Sequence, residues 1–177
     1  MDNIKILAIS GSLRAKSSNT SVLKASQILA GTAAEITLYS ELAQLPHFNP
    51  DLDREPLPEI VISLRQHIKR SNGIIISSPE YAHGVPGTLK NALDWLVSSI
   101  EFPGKPVMLI NTNPRATIAF ISLQEILNTM SASINSLNNV TLAIAGKRLD
   151  AKDIVQDSEL ATLLTQRISN FIEEIKQ

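Results

Sequence analysis

The sequence predicts an α/β fold: a doubly wound, five-stranded parallel sheet in the order 2-1-3-4-5, with helices on both faces. Five short apolar runs rich in Ile, Val and Leu alternate with segments of helical period, which is typical of repeated β-α units. The third run has consecutive isoleucines at 74–76, as expected of a parallel strand buried on both faces. Right-handed crossovers then place helices on both sides, and a ligand crevice at the carboxyl ends of strands 1 and 3.

The predicted elements cover most of the chain. Strands are expected at residues 4–9, 35–39, 73–77, 106–111 and 140–144. Helices are expected at about residues 19–29, 60–70, 86–99, 117–130 and 160–175. The last helix has the clearest pattern, because its apolar side chains fall on one stripe: Leu160, Leu164, Ile168, Phe171 and Ile175. Four prolines between 40 and 58 predict an extended surface connection or, alternatively, a rim over the site.

The composition limits the chemistry that the chain can perform. Its 177 residues fit a single domain, spanning 1–177. The chain has no cysteine, which excludes thiolate chemistry, so a redox function needs a bound cofactor. The net charge of -1 comes without a basic stripe, which argues against a nucleic-acid partner. The lack of a basic leader and of a membrane-length apolar run predicts a cytoplasmic protein with no membrane partner.

A loop rich in hydroxyl groups follows the first strand, and we call residues 11–20 the first loop. A helix is expected to begin there, and the unpaired amides of a helix N-terminus attract phosphate. Arg14 can add a charge-assisted hydrogen bond. The loop lacks the glycine spacing of both the Walker A motif and G-x-G-x-x-G. The alternative is that Ser18 or Asn19 simply caps the helix.

The third loop, residues 78–86, follows the third strand at the predicted switch point of the sheet. Pro79 and Gly84 shape its backbone, and Pro86 suits the first turn of the next helix. The backbone amides of residues 80–83 are then expected to be free to read a planar heterocycle with alternating donors and acceptors. Tyr81 offers an aromatic wall beside it.

Four side chains near this loop have structural interpretations. His83 is isolated, and such a histidine is more often a hydrogen-bonding group than a general acid; with the other two histidines also isolated, a metal site is not expected. Lys90 and Asp94 are i,i+4 partners and predict a surface ion pair, or alternatively a subunit contact. Trp95, the single tryptophan, is expected to pack in the core or at an interface.

Together the two loops resemble the NADPH-dependent FMN reductase family, which includes quinone, chromate and azo-dye reductases. The matching residues in the first loop are Gly11, Ser12, Leu13, Arg14, Ser17, Asn19 and Thr20. In and after the third loop they are Pro79, Glu80, Tyr81, and then Pro86 and Gly87 through Trp95. The resemblance implies a flavodoxin-like fold over the whole chain, although only these two segments match sharply.

The resemblance also implies which residues bind FMN. The phosphate would be held by Ser12, Arg14, Ser17, Asn19 and Thr20, with Leu13 in the same binding loop. The flavin ring would meet the backbone around Pro79, Glu80, Tyr81 and Ala82. Two departures stand out, because many relatives have Asn where this chain has Ala82, and a glycine-rich turn where residues 111–117 contain no glycine.

The implied activity is NAD(P)H-dependent reduction through FMN. A hydride would pass from NADPH or NADH to flavin N5, and the electrons would then pass to a small-molecule electron acceptor such as a quinone, free flavin, chromate or an azo compound. The cofactor performs this chemistry, so no side chain is assigned a catalytic role. Family members commonly form a homodimer or homotetramer, and the helix with Asp94 and Trp95 is the candidate contact.

Two other functions fit the same fold. A flavodoxin-like electron carrier would also bind FMN, but such carriers are often strongly acidic and sandwich the ring between aromatics, whereas this chain is nearly neutral and only 4% aromatic. A non-catalytic flavin- or nucleotide-binding module is the second alternative, because fold alone does not fix function. The glycine-free segment 111–117 is its best support.

Overall fold

The computed structural model describes residues 3–177 and contains the predicted five-stranded parallel sheet in the order β2-β1-β3-β4-β5. Residues 1 and 2 of the predicted domain lie outside the described part. The strands are β1 (Lys5–Ser10), β2 (Glu35–Tyr39), β3 (Gly73–Ser77), β4 (Val107–Asn111) and β5 (Val140–Thr141). Every neighbouring pair is parallel. The carboxyl ends of β1 and β3 are therefore adjacent, with Ser10 opposite Ser77.

Six helices cover the two faces of the sheet: α1 (Ser18–Ala30), α2 (Glu59–Arg70), α3 (Gly87–Asp94), α4 (Thr117–Thr129), α5 (Ala151–Gln156) and α6 (Ser158–Ile175). Two buried clusters show which helix lies where. One cluster joins one side of the sheet to α2, α3 and α4, and the other joins the opposite side to α1, α5 and α6. Within β3, Ile74 and Ile76 belong to the first cluster and Ile75 to the second. This confirms that the isoleucine run is buried on both faces.

The helices differ from the sequence prediction in three main ways. The predicted helix to residue 99 ends at Asp94, and tighter turns follow, because Val97 N donates to Asp94 O and Ser99 N to Leu96 O. The unpredicted helix α5 begins at a capping box between Asp150 and Asp153. The final helix α6 begins directly after it, at an Asp157 cap.

The predicted strand 140–144 is only two residues long, because Val140 and Thr141 pair with Ile110 and Asn111, and β4 ends at Asn111. Before that point, other segments satisfy the outer edge of β4. Val107 N donates to Ser133 O at 2.8 Å, and Leu109 N donates to the Asn139 side-chain oxygen at 2.8 Å. Only Ile110 and Asn111 pair with β5 itself. Leu142 and Ile144 are nevertheless buried beneath α5 and α6. The apolar pattern of residues 140–144 therefore indicated correctly that these two side chains are buried, but not how long the strand is.

The proline-rich connection 40–58 packs against α3 and contains two short 3₁₀ turns. Pro46 O accepts hydrogen bonds from Asn91 Nδ2 at 2.9 Å and from Trp95 Nε1 at 2.8 Å. The Phe48 ring meets the Trp95 indole edge-on, with centroids 5.1 Å apart. Trp95 is fully buried, which confirms its core role and rules it out as a subunit contact. The expected Lys90–Asp94 ion pair is present on α3.

Between residues 3 and 177, no helix has both the length and the apolar character needed to cross a membrane.

Candidate active site

The first and third loops abut at the carboxyl edge of the sheet. Gly11 N donates to Ser77 O at 2.8 Å and continues the pairing of β1 with β3. A Cβ at Gly11 would lie 2.6 Å from Ser78 Oγ and 3.1 Å from Leu89 Cδ2. Only glycine therefore allows this approach without displacing a neighbour. At the predicted switch point of the sheet, the first and third loops are therefore in van der Waals contact.

The first loop turns back on itself before α1. Ser17 is the N-cap of α1, and its Oγ accepts a hydrogen bond from Thr20 N at 3.4 Å. The expectation that Ser18 or Asn19 would cap the helix is thus wrong, because the helix begins one residue earlier. Ser12 Oγ accepts from Arg14 N at 3.3 Å, and Ser12 and Ser17 are buried. The side chains of Leu13 and Arg14 point outwards, and both residues are exposed.

Asn19 lies inside the site and joins three segments. It is 5% exposed, and its Oδ1 accepts from Ser77 Oγ at 2.9 Å and from Thr112 Oγ1 at 3.2 Å. Thr20 Oγ1 in turn lies 2.9 Å from Ser10 Oγ. The start of α1 is therefore held to the ends of β1, β3 and β4. Thr112 was not among the predicted residues, although its hydroxyl directly after a buried strand is a signal that the switch-point rule could have used.

The third loop contains a tight hairpin turn at residues 81–84. Tyr81 N donates to Gly84 O at 3.1 Å, and Gly84 N donates to Tyr81 O at 2.9 Å. Ala82 and His83 have φ angles of 48° and 59°, as in the I′ hairpin that favours Asn-Gly. Each non-glycine residue in this region costs about 1 kcal/mol or more. The turn is strained at the place where the flavin ring is expected, and backbone strain is common at binding sites.

One expectation about this loop needs correction. The amide of Tyr81 is not free, because it closes the turn. The amides of Glu80, Ala82 and His83 have no hydrogen-bond acceptor within residues 3–177. Pro79 is partly buried, and Tyr81 is half exposed beside the turn. The edge therefore still offers donors to a planar ligand, with an aromatic side chain next to them.

The carboxylate of Glu80 links the third loop to α4. Glu80 Oε2 accepts from Ala119 N at 2.9 Å, and Oε1 lies 3.1 Å from His83 Nδ1. The hydrogen bond from the Ala119 amide is the main reason that the pKa of Glu80 lies below its ordinary value of 4.5, with the His83 contact adding to it. The His83 side chain itself is 77% exposed.

The segment after β4 closes without glycine by using asparagine side chains. Asn113 N donates to Asn111 Oδ1 at 3.0 Å, and Arg115 N donates to Asn113 Oδ1 at 3.1 Å. Ala116 N donates to Asn113 O at 2.9 Å. None of these residues has a positive φ. Asx turns thus give this loop a compact shape that does not need glycine.

The donor set fits an anionic, planar cofactor. Hydroxyl groups, the N-terminal amides of α1 and the exposed Arg14 side chain lie in the first loop, and this is the chemistry that holds a phosphate group. The free amides of Ala82 and His83 lie in the adjacent third loop. Across residues 3–177, no cluster of three or more His, Asp or Glu side chains has the spacing to hold a metal ion.

Comparisons with known proteins agree with this site. The family model for NADPH-dependent FMN reductase matches residues 4–147. An NAD(P)H-dependent FMN reductase from Pseudomonas aeruginosa is 30% identical over 182 residues, covering 94% of this chain and 97% of that protein. A quinone reductase from Escherichia coli is 33% identical over 111 residues, but the match spans only 59% of that protein.

A solved structure shows the same fold throughout. The flavoenzyme NAD(P)H:(acceptor) oxidoreductase FerB from Paracoccus denitrificans aligns with a TM-score of 0.86 and 29% identity, covering 98% of this chain and 97% of that one. An archaeal flavodoxin aligns with a TM-score of 0.60 at 12% identity, which shows the fold alone. The chain therefore belongs to the NADPH-dependent FMN reductase family and is an NAD(P)H-dependent oxidoreductase that uses FMN.

Proposed function

We propose that this enzyme reduces a small acceptor such as a quinone, free flavin, chromate or an azo compound, with FMN bound across the first and third loops. The observation that carries the proposal is the joining of three loops at one edge of the sheet, through Asn19 and through the close approach of Gly11 to Ser78. A phosphate-binding loop and a ring-binding edge are then held at a fixed separation, which is what a mononucleotide of defined length requires.

Within this site the first loop holds the phosphate. Ser12, Ser17 and Thr20 supply hydroxyl groups, and the exposed Arg14 supplies a positive charge that can make two hydrogen bonds. The buried Asn19 keeps its oxygen engaged with two hydroxyl groups, so only its NH₂ group is left to donate to a ligand. Leu13 belongs to the same loop, and its side chain is exposed.

The third loop orients the ring. FMN, when bound, supplies a centre that takes a hydride from the nicotinamide and gives electrons to the acceptor. The amides of Ala82 and His83 are the donors at the ring edge, Pro79 and Glu80 set the course of the backbone, and Tyr81 shields one side. No side chain has to move a proton in this scheme, and the exposed His83 is engaged with Glu80.

The first test is the absorbance spectrum of the purified protein with added FMN, followed by anaerobic addition of NADPH or NADH. We expect rapid bleaching of the flavin by one nucleotide and recovery on addition of a quinone. Bound flavin that neither nucleotide bleaches would support a carrier, and no flavin binding would overturn the proposal.

A pair of glycine variants locates the site. Gly11→Ala is expected to weaken FMN binding at least about tenfold, because its Cβ would lie 2.6 Å from Ser78 Oγ in the third loop. Gly73→Ala is the matched control: its Cβ would lie 2.6 Å from Ile175 Cδ1 and 3.0 Å from Phe171 Cζ, at the amino ends of the strands. Equal loss of FMN affinity in both variants would contradict the placement.

We also propose that the active form is a homodimer or homotetramer of this single-domain chain, in the cytoplasm. Ile118 and Ile121 on α4 are 51% and 64% exposed, and the Glu80–Ala119 hydrogen bond brings this helix beside the ring-binding turn. A second copy seated there would cover apolar surface and shield the flavin. Ile121→Lys should lower the mass measured by light scattering, whereas Leu137→Lys, at another exposed apolar position, should not. A mass unchanged by Ile121→Lys would refute this interface.

A further inference from the structure

We infer that the side chain of Glu80 is a positioning residue for the flavin: it holds the strained turn at 81–84 against α4 without itself touching the ring. This inference rests on the proposed placement of the ring at the third loop. It goes beyond that placement, which uses only the Glu80 backbone.

The first argument is that α4 has no capping side chain of its own. Ala116 stands at its N-cap and makes no side-chain hydrogen bond to the helix. Glu80 supplies the missing acceptor from 39 residues away, through its bond to Ala119 N. A carboxylate at a helix N-terminus is favoured both by the free amides and by the helix dipole. The third loop is therefore anchored to an element that lies outside it.

The second argument is that the same carboxylate reaches forward into the turn. Its other oxygen contacts His83 Nδ1, and His83 is one of the two residues held at positive φ. The Glu80 side chain is only 13% exposed although the turn itself projects into solvent. Both oxygens are thus occupied, one by the helix and one by the turn, which leaves the side chain committed to holding the loop.

The third argument concerns what the turn presents. Ala82 and His83 have left-handed φ angles, whereas the backbone of alanine or histidine prefers negative φ. If the turn relaxes, the free amides of Ala82 and His83 change direction, and these are the donors expected at the ring edge. Holding the turn therefore preorganises the site, so that FMN binding does not have to order it.

The test compares Glu80→Ala with Asp150→Ala. Both variants remove a carboxylate that caps a helix N-terminus, but Asp150 caps α5, which packs on the other face of the sheet. FMN dissociation constants come from fluorescence quenching, and melting temperatures come from the apoproteins. We expect Glu80→Ala to weaken FMN at least about tenfold and to shift the spectrum of the bound flavin, while Asp150→Ala changes FMN affinity less than about twofold.

Rescue of the turn separates positioning from general destabilisation. In the Glu80→Ala background the His83 side chain has lost its partner, so His83→Gly changes mainly the backbone, and glycine adopts the observed φ of 59° freely. We expect His83→Gly to restore FMN affinity at least about fivefold in that background. This factor corresponds to removing about 1 kcal/mol of backbone strain at residue 83.

Two results would overturn the inference. One is an unchanged FMN affinity in Glu80→Ala, and the other is a loss that His83→Gly does not restore. Wild-type protein that binds no FMN would instead refute the proposed function. A Glu80→Gln variant distinguishes the effect of the negative charge from that of the hydrogen bond to α4, because its amide oxygen can still accept from Ala119 N.

Discussion

Asn19→Ala should destabilise the apoprotein by about 2–3 kcal/mol, because Asn19 is the buried acceptor for two hydroxyl groups. Ser77 Oγ has a second acceptor, Ile110 O at 2.9 Å, so it loses little when Asn19 is removed. Thr112 Oγ1 has none other within residues 3–177, and an unsatisfied buried hydroxyl costs about 1–3 kcal/mol. The expected fall in melting temperature is about 4–12 °C.

A double-mutant cycle isolates this hydrogen bond from the lost packing. Thr112→Val replaces the hydroxyl with a methyl group of similar shape, so no donor is left for Asn19 to satisfy at that position. In this background Asn19→Ala should cost about 1–2 kcal/mol less than in the wild type. Urea unfolding of the apoproteins gives the four free energies of unfolding. A coupling below about 0.3 kcal/mol would refute the assignment of Asn19 as the link between α1 and β4.

Three further predictions follow from contacts described above. Because the pKa of Glu80 is lowered, its stabilising contribution is present above pH 4.5 and is lost as the pH falls below that value, so the melting temperature should fall more steeply on acidification in the wild type than in Glu80→Gln. Trp95→Phe removes the indole donor to Pro46 O and should make the connection 40–58 a faster site of limited proteolysis, with a stability loss of about 1–3 kcal/mol. Ala82→Asn places a residue that tolerates positive φ in the turn, and it should raise the melting temperature by about 2–4 °C in differential scanning calorimetry.

Much of the fold could be predicted, because in a doubly wound sheet both the burial of a segment and the period of its apolar residues indicate whether it is a strand or a helix. Residues 73–77 are an uninterrupted apolar strand because helices cover both sides of it. The sequence predicted too long a strand at 140–144, since Leu142 and Ile144 are buried by helices at a point where β4 has already ended at Asn111. Apolar patterns report which residues are inside, but they do not report which hydrogen bonds the backbone makes.

The site could be predicted only as far as local chemistry decides it. The sequence offered Ser18 and Asn19 as helix caps, but Ser17 caps the helix and Asn19 instead bonds to Ser77 and Thr112, which are 58 and 93 residues away from it. The Glu80 contact with α4 likewise depends on the packing of two loops. Long-range hydrogen bonds of this kind produce no periodic pattern in a single sequence. They account for most of the site features that could not be predicted.

The way in which β4 is bordered also bears on behaviour at high concentration. A long strand at the rim of a sheet invites pairing with another molecule, which is a route to aggregation. Here the rim of β4 is divided among Ser133, the Asn139 side chain and the two residues of β5. Because the Asn139 side chain replaces a strand at Leu109, an incoming chain meets an interrupted row of backbone groups. Replacing Asn139 with Ala would expose that amide and should increase aggregation during refolding.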